Sequence, residues 1–224
     1  RFDRVHQYIK RLIEEGAFGT LLTASFKVLC LRTDAYYRAD QWRGTWDREG
    51  GSVMINQAIH YVDLLQWMAG GVVSLSAVHA NLTHASSIET EDTAVAVLKL
   101  RNGALGSMLA TCSSHLTWDP SFFIYGSEGS LELRNGKPLR AIFTDPVRAQ
   151  HIEKELAGLR DAAHNEAGKD YYGPSHPTQI ADFIAAIREG RAPFVTARSA
   201  RAAVDIVLAI YRSHREGRWI ALDN

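Results

Sequence analysis

Residues 50–70, GGSVMINQAIHYVDLLQWMAG, decide how this chain is read. The apolar positions Val53, Ile59, Val62, Leu65 and Met68 recur at helical spacing, which predicts a helix over 51–69 with one face buried. His60 stands four residues after Asn56 and three before Asp63, so the three project from roughly one side of that helix. An imidazole held there can be aimed at a cleft, and its ordinary pKa near neutrality suits proton transfer. The same residue on a partly apolar helix also serves as a hydrogen-bonded core group, with Asn56 ordering the first turn and Asp63 accepting from a neighbour. Spacing alone leaves both readings open. Gly50-Gly51 marks either unusual backbone angles or close approach of backbone to a ligand. No metal site is implied, because no second histidine follows at ligand spacing.

Upstream, Val5, Tyr8, Ile9, Leu12 and Ile13 keep helical spacing and Gly16 is a natural stop. Leu22, Ala24, Phe26, Val28 and Cys30 then alternate as one face of a strand. The connection that follows, RTDAYYRADQWRGTWDREGG over 32–51, is rich in rings and guanidinium groups. Tyr36, Tyr37, Trp42, Arg43 and Trp46 suit a polyhydroxylated or phosphorylated ligand through stacking and forked hydrogen bonds, or else they pin the loop down.

Downstream, strands are expected at 72–82, 92–100, 104–112, 122–125 and 130–133, with Arg101-Asn102-Gly103 as a hairpin turn. The polar stretch 145–172 reads as a helix around 148–168 or an excursion. A helix over 177–189 would bury Ile180, Phe183, Ile184 and Ile187. Another over 197–215, capped by Thr196 or Ser199, would bury Ala200, Val204, Val207, Leu208 and Tyr211, and 219–222 is a short last strand. Glu91 and Asp92 read as structural residues at a strand end, pointing to opposite sides. The class is α+β: a broad, mainly antiparallel open sheet with helices packed on one face. The other face would carry Ser76 or Ala77, Val95 or Ala96, and Ala104 or Leu105. If that face is apolar, it calls for a second copy of the chain.

Composition narrows the function classes. The chain has 224 residues, 46% hydrophobic and 22% charged, enough for a substantial core. Its 25 basic and 25 acidic side chains cancel and the arginines are scattered, which argues against nucleic acid or an anionic membrane as partner. Cys30 and Cys112 read as buried thiols of a reducing compartment, and with no signal peptide or bilayer-length apolar run the cytoplasm is the expected location. The chain opens on Arg1 directly in a helical pattern, as an excised piece of a longer protein or a processed product would.

Six segments in order resemble the C-terminal domain of the glucose–fructose oxidoreductase/inositol dehydrogenase family (Gfo/Idh/MocA). They are EEGAFGTL at 14–21, YYRADQWRGTW at 36–46, the 50–70 stretch, IETEDTAVAVLKLRNGALGSM at 88–108, IYGSEGSLEL at 124–133, and QIADFIAAIREGRAPFVTARSARAAVDIVLAIYRS at 179–213. The resemblance implies a glyceraldehyde-3-phosphate dehydrogenase-like C-terminal fold. Residues 1–224 would form a single substrate-binding and oligomerisation domain, with 1–19 as the leading helix that joins it to a dinucleotide-binding domain. It implies NAD or NADP as cofactor, held mainly by that other domain, and a sugar, cyclitol or sugar-nucleotide hydroxyl as substrate. His60 would be the catalytic acid/base, with Asn56, Tyr36, Arg43, Trp46, Tyr172 and His176 binding substrate and a homo-oligomer forming through the open sheet face.

This sequence departs from the family pattern in two ways. No GxGxxG turn or βαβαβ unit is present, and the family's catalytic lysine has no counterpart, so the chain alone is expected to be inactive. Asn56 stands where many members carry Asp, which removes a negative charge from beside the imidazole and makes Asn56 an orienting residue. The competing reading is a non-catalytic binding or assembly module of the same fold.

Overall fold

The computed structural model describes residues 1–162 and 175–222. Helix α1 (Arg4–Glu14) starts where Asp3 accepts from the Val5 and His6 amides, and it buries Val5, Tyr8, Ile9 and Leu12. Strand β1 (Leu21–Leu31) follows, with Ala24, Phe26, Val28 and Cys30 inward. The aromatic connection contains a short helix, α2 (Asp34–Arg38), capped by Thr33.

The predicted helix over 51–69 is two helices. Val53–Gln57 is a π-helical turn, closed by the Ala58 amide on the Val53 carbonyl at 2.8 Å, and α3 (Ile59–Met68) continues from it. The wider turn shifts Asn56 around the axis relative to His60, so the regular 3.6-residue geometry assumed for Asn56, His60 and Asp63 does not apply across the junction. Of the apolar stripe, Val53, Val62, Leu65 and Met68 are buried and Ile59 is half-buried.

Eight strands form one sheet in the order β7-β6-β5-β1-β4-β3-β2-β8. They are β2 (Val72–Ala80), β3 (Thr93–Leu100), β4 (Leu105–Thr111), β5 (Ser113–Gly126), β6 (Gly129–Arg134), β7 (Lys137–Phe143) and β8 (Ile220–Ala221). The pairings are antiparallel except that β1 and β4 run parallel, Phe26 opposite Met108, which makes the sheet mixed. The β3–β4 hairpin turns at Arg101-Asn102-Gly103, with Gly103 at φ 88°. Both cysteines are buried and free.

Helices α3 and α6 (Ala197–Glu216) pack over β1 and β2, and α4 (Pro146–Ala162) packs over β7. Helix α6 begins as expected, with Thr196 Oγ1 accepting from the Ser199 amide at 3.1 Å. Its buried face is rotated from the reading. Val207 and Tyr211 are inside, joined by Ala203, Ile206 and Ile210, whereas Ala200, Val204 and Leu208 are not buried. The correction for α5 (His176–Glu189) is larger, because Ile180, Phe183, Ile184 and Ile187 are all exposed. Periodicity marks an apolar stripe but says nothing about what covers it, and none of the described residues does so.

The opposite sheet face is exposed along β2, β3 and β4. Ser76, Val78, Val95, Val97 and Leu105 point outward, with Val78 64% and Leu105 59% exposed, while Ala77, Ala96 and Ala104 turn inward. Val78 and Val95 sit directly across from one another on β2 and β3.

Gly51 shows how tightly the key stretch is built. Its φ is 149°, and a Cβ there would lie 2.0 Å from the Tyr211 hydroxyl on α6. Gly50, at φ 77°, faces open space. Gly51→Ala should therefore lower unfolding free energy by about 2–5 kcal/mol, strain and overlap together, against about 1–2 kcal/mol for Gly50→Ala. Urea titration of both variants checks the ranking, and equal costs would contradict it.

Candidate functional site

The site begins with a buried carboxylate. Glu91, at the turn into β3, is fully buried and accepts from the Ser52 amide on both oxygens (3.1 and 3.2 Å), from the Met54 amide (3.0 Å) and from the Tyr211 hydroxyl (2.9 Å). These donors include the otherwise unpartnered amides at the start of the π-turn. Burial raises the Glu91 pKa above the ordinary range, and the amide bonds act against that rise. Asp92 points elsewhere, accepting from the Leu82 and Thr83 amides and from Thr83 Oγ1. The adjacent carboxylates thus hold separate segments, as their strand-end position suggests.

The helix anchored in this way presents His60 at its first turn, exposed to solvent. The protein packed around the ring lowers its pKa first, His176 at the start of α5 lowers it second, and Asp63 raises it. The imidazole is therefore mainly neutral at pH 7 and able to accept a proton. Asp63 has a second task. Its carboxylate takes Arg1 Nε at 2.7 Å and Nη2 at 2.5 Å, and Arg1 Nη2 also reaches the Ser199 carbonyl at 3.0 Å, joining α3 to the start of α6.

Asn56 donates its Nδ2 to Glu49 Oε1 at 2.5 Å, and Glu49 Oε2 accepts the Gly44 amide at 2.5 Å. Glu49 is absent from the residues that the sequence marks as a candidate site. A carboxylate just before the Gly50-Gly51 pair is the one local signal that points to it.

The aromatic loop splits into two clusters. The Arg43 guanidinium lies 4.0 Å from the Tyr36 ring centre and 5.1 Å from Trp42, with Nε on Asp40 at 2.8 Å. Arg32 also lies over the Tyr36 ring, at 5.2 Å. Trp46 belongs elsewhere. It meets Tyr211 edge-on at 5.2 Å and His79 at 5.9 Å, and it borders a groove of about 670 Å³ with Arg201, Leu208, Arg212 and Arg215. His60 does not line that groove. Tyr37 is structural: its buried hydroxyl contacts Ser52 Oγ at 2.9 Å and Cys112 Sγ at 3.0 Å. His176 is near enough to His60 to lower its pKa, Tyr36 and Arg43 are brought together, and Asn56 is tied to the loop through Glu49. Tyr172 lies outside the described residues.

A histidine titration followed by NMR tests this electrostatic picture. The His60 midpoint should fall below 6.5, Asp63→Asn should lower it further, and His176→Gln should raise it. A wild-type midpoint above 6.5 would contradict the account.

Comparison with known proteins sets this geometry in context. The WlbA dehydrogenase from Bordetella pertussis, solved in complex with NADH and UDP-GlcNAcA, superposes with a TM-score of 0.83 at 31% identity, covering 99% of this chain and 62% of that one. Among curated proteins, the myo-inositol 2-dehydrogenase of Thermotoga maritima is 23% identical over 100% of this chain and 62% of its own length. The scyllo-inositol 2-dehydrogenase (NAD(+)) of Bacillus subtilis is 22% identical over 100% of this chain and 60% of its own. The chain thus spans about three fifths of the length of these relatives. Residues 10–222 match the family profile described as "Oxidoreductase family, C-terminal alpha/beta domain", and the chain belongs to the GFO/IDH/MocA oxidoreductases.

Proposed function

We propose that this chain is the substrate-binding and oligomerisation domain of an NAD(P)-dependent oxidoreductase acting on the hydroxyl of a sugar, cyclitol or sugar nucleotide. The observation that carries the reading is His60: an imidazole with a lowered pKa, exposed at the start of a helix whose other face is locked in the core. Oxidation of a secondary alcohol removes a hydride and a proton. When bound, a nicotinamide dinucleotide supplies the hydride acceptor or donor. The residues here suit only its reacting end, because no glycine-rich phosphate cradle follows a strand.

In this reading neutral His60 takes the hydroxyl proton during oxidation and returns it during reduction. Asn56, with its amide nitrogen committed to Glu49, keeps its carbonyl available to a substrate hydroxyl. Tyr36 and Arg43 offer a planar stack to a ring or phosphate, and His176 is a further contact beside His60. Identity is higher to a structure containing UDP-GlcNAcA than to the inositol enzymes, and this favours a sugar nucleotide among the substrate classes. Two buried free thiols suit a reducing cytoplasm.

The native polypeptide that carries this domain should oxidise at least one of UDP-GlcNAcA, myo-inositol and scyllo-inositol with NAD or NADP. His60→Ala should slow it about a hundredfold or more. Oxidation should also decline as pH falls through the lowered His60 pKa, because the protonated ring cannot act as base. Near wild-type turnover in the variant would remove His60 from the chemistry. No NAD(P)-dependent turnover on any probe would favour a non-catalytic assembly module.

The exposed sheet face is the proposed homo-oligomer interface, since Val78 and Val95 pair across β2 and β3 and Val97 and Leu105 are exposed on the same face, where a second copy would cover them. Charging it with Val95→Lys and Val97→Lys should reduce the native mass to that of a smaller assembly. An unchanged mass, or a wild type that is already monomeric, would contradict this.

A further inference from the structure

Asn56 poses a chemical problem for the proposed site. An aspartate there would offer only acceptor oxygens, whereas an asparagine amide can turn either its carbonyl or its NH2 toward a ligand. The surroundings remove that ambiguity. An ionised carboxylate has no proton to donate, so the 2.5 Å contact between Asn56 and Glu49 Oε1 must use the amide nitrogen. The carbonyl Oδ1 is then the amide's one acceptor, in the role of an aspartate oxygen.

Glu49 is itself held. Its second oxygen takes the Gly44 amide at 2.5 Å, inside the loop that carries Trp42, Arg43 and Trp46. Gly44 is buried against Ile88, where a Cβ would lie 2.2 Å from the Ile88 side chain, so the amide that Glu49 accepts from is fixed in place. One carboxylate therefore bridges the aromatic loop and the π-turn that leads into the His60 helix.

We propose that Glu49 is a positioning residue of the site: by taking one N–H of the Asn56 amide it fixes which way the amide is turned and leaves Oδ1 to accept from a substrate hydroxyl. The catalytic consequence rests on the dehydrogenase reading above, whereas the clamp itself can be tested without turnover. Glu49 need not touch substrate. It works through Asn56, so exchanging the two groups should preserve the arrangement. With Glu49→Gln and Asn56→Asp combined, an amide at position 49 donates to a carboxylate at position 56, the reverse of the wild-type bond.

The test is a double-mutant cycle with two readouts. In this chain, Asn56→Asp places two carboxylates in contact, so one of them must hold a proton. The thermal midpoint at pH 8 should drop by about 4 °C or more relative to wild type, and the gap should narrow at pH 5. Adding Glu49→Gln should close most of the gap at pH 8. In the native polypeptide, with UDP-GlcNAcA and NAD as probes, Glu49→Gln alone should lower kcat/KM about tenfold. Asn56→Asp alone should lower kcat/KM more at pH 8 than at pH 6, where a shared proton restores the bond, and the double variant should recover most of the loss.

The proposal is overturned if the double variant is no more stable at pH 8 than Asn56→Asp. It is also overturned if Glu49→Gln lowers the midpoint while leaving kcat/KM and its pH profile at wild-type values, which is the signature of a purely structural tie. If wild type does not turn over UDP-GlcNAcA with NAD, that choice of substrate and cofactor fails, and the pH-dependent midpoints still decide for or against the clamp.

Discussion

The buried Glu91 carboxylate is the tie on which the architecture around His60 depends. It is fully buried, yet three groups donate to it: two amides at the mouth of the π-turn and the Tyr211 hydroxyl from α6. A carboxylate in that position costs free energy unless its oxygens are satisfied, and removing any one donor would leave part of the cost uncompensated. Its raised pKa records the burial, and its partners record how that burial is tolerated. The single group joins the start of β3, the entry to the His60 helix and the middle of α6. Gly51 is drawn into the same arrangement, because Tyr211 reaches Glu91 across the space that a Cβ would occupy. The segment leading into the His60 helix is thus fixed by a contact in the buried core.

The site around this anchor is divided between rigid and adaptable parts. The His60 helix stands on the core through Val53, Val62, Leu65 and Met68. The aromatic loop is held by polar ties: Tyr37 to Ser52 and Cys112, Glu49 to Gly44 and Asn56, Arg43 to Asp40. A rigid base beside a loop of stacked rings and guanidinium groups suits a family that varies its polyol. In the proposed function the proton-transfer group stays fixed while loop residues select the ligand.

Most of the fold is legible in local pattern, because a half-buried sheet and helices with one buried face write their periods into the sequence. Strand β1 and the Asn-Gly hairpin are examples. The parallel pairing of β1 with β4 is not legible, since two segments some 80 residues apart carry no local mark of their mutual direction. Strand β7, KPLRAIF, opens with Lys-Pro and lacks clean alternation, so the pattern does not reveal it. In α6 the apolar residues surround more of the helix than one face, and their spacing does not say which are buried. His60 and Asn56 can be named from the sequence, but the π-turn that separates their directions leaves no periodic signal. Glu49 acts through one long-side-chain contact across a loop, which spacing cannot reveal.

The central claim is that His60 is the proton-transfer group of a nicotinamide-dependent oxidoreductase. The most direct measurement is a crystal structure of the native polypeptide with NADH and a bound sugar substrate. The account predicts that the His60 imidazole lies within about 2.6–3.2 Å of the hydroxyl on the carbon facing the nicotinamide. A structure in which that hydroxyl is met by another base, with His60 turned away or covered by a protein surface, would contradict it.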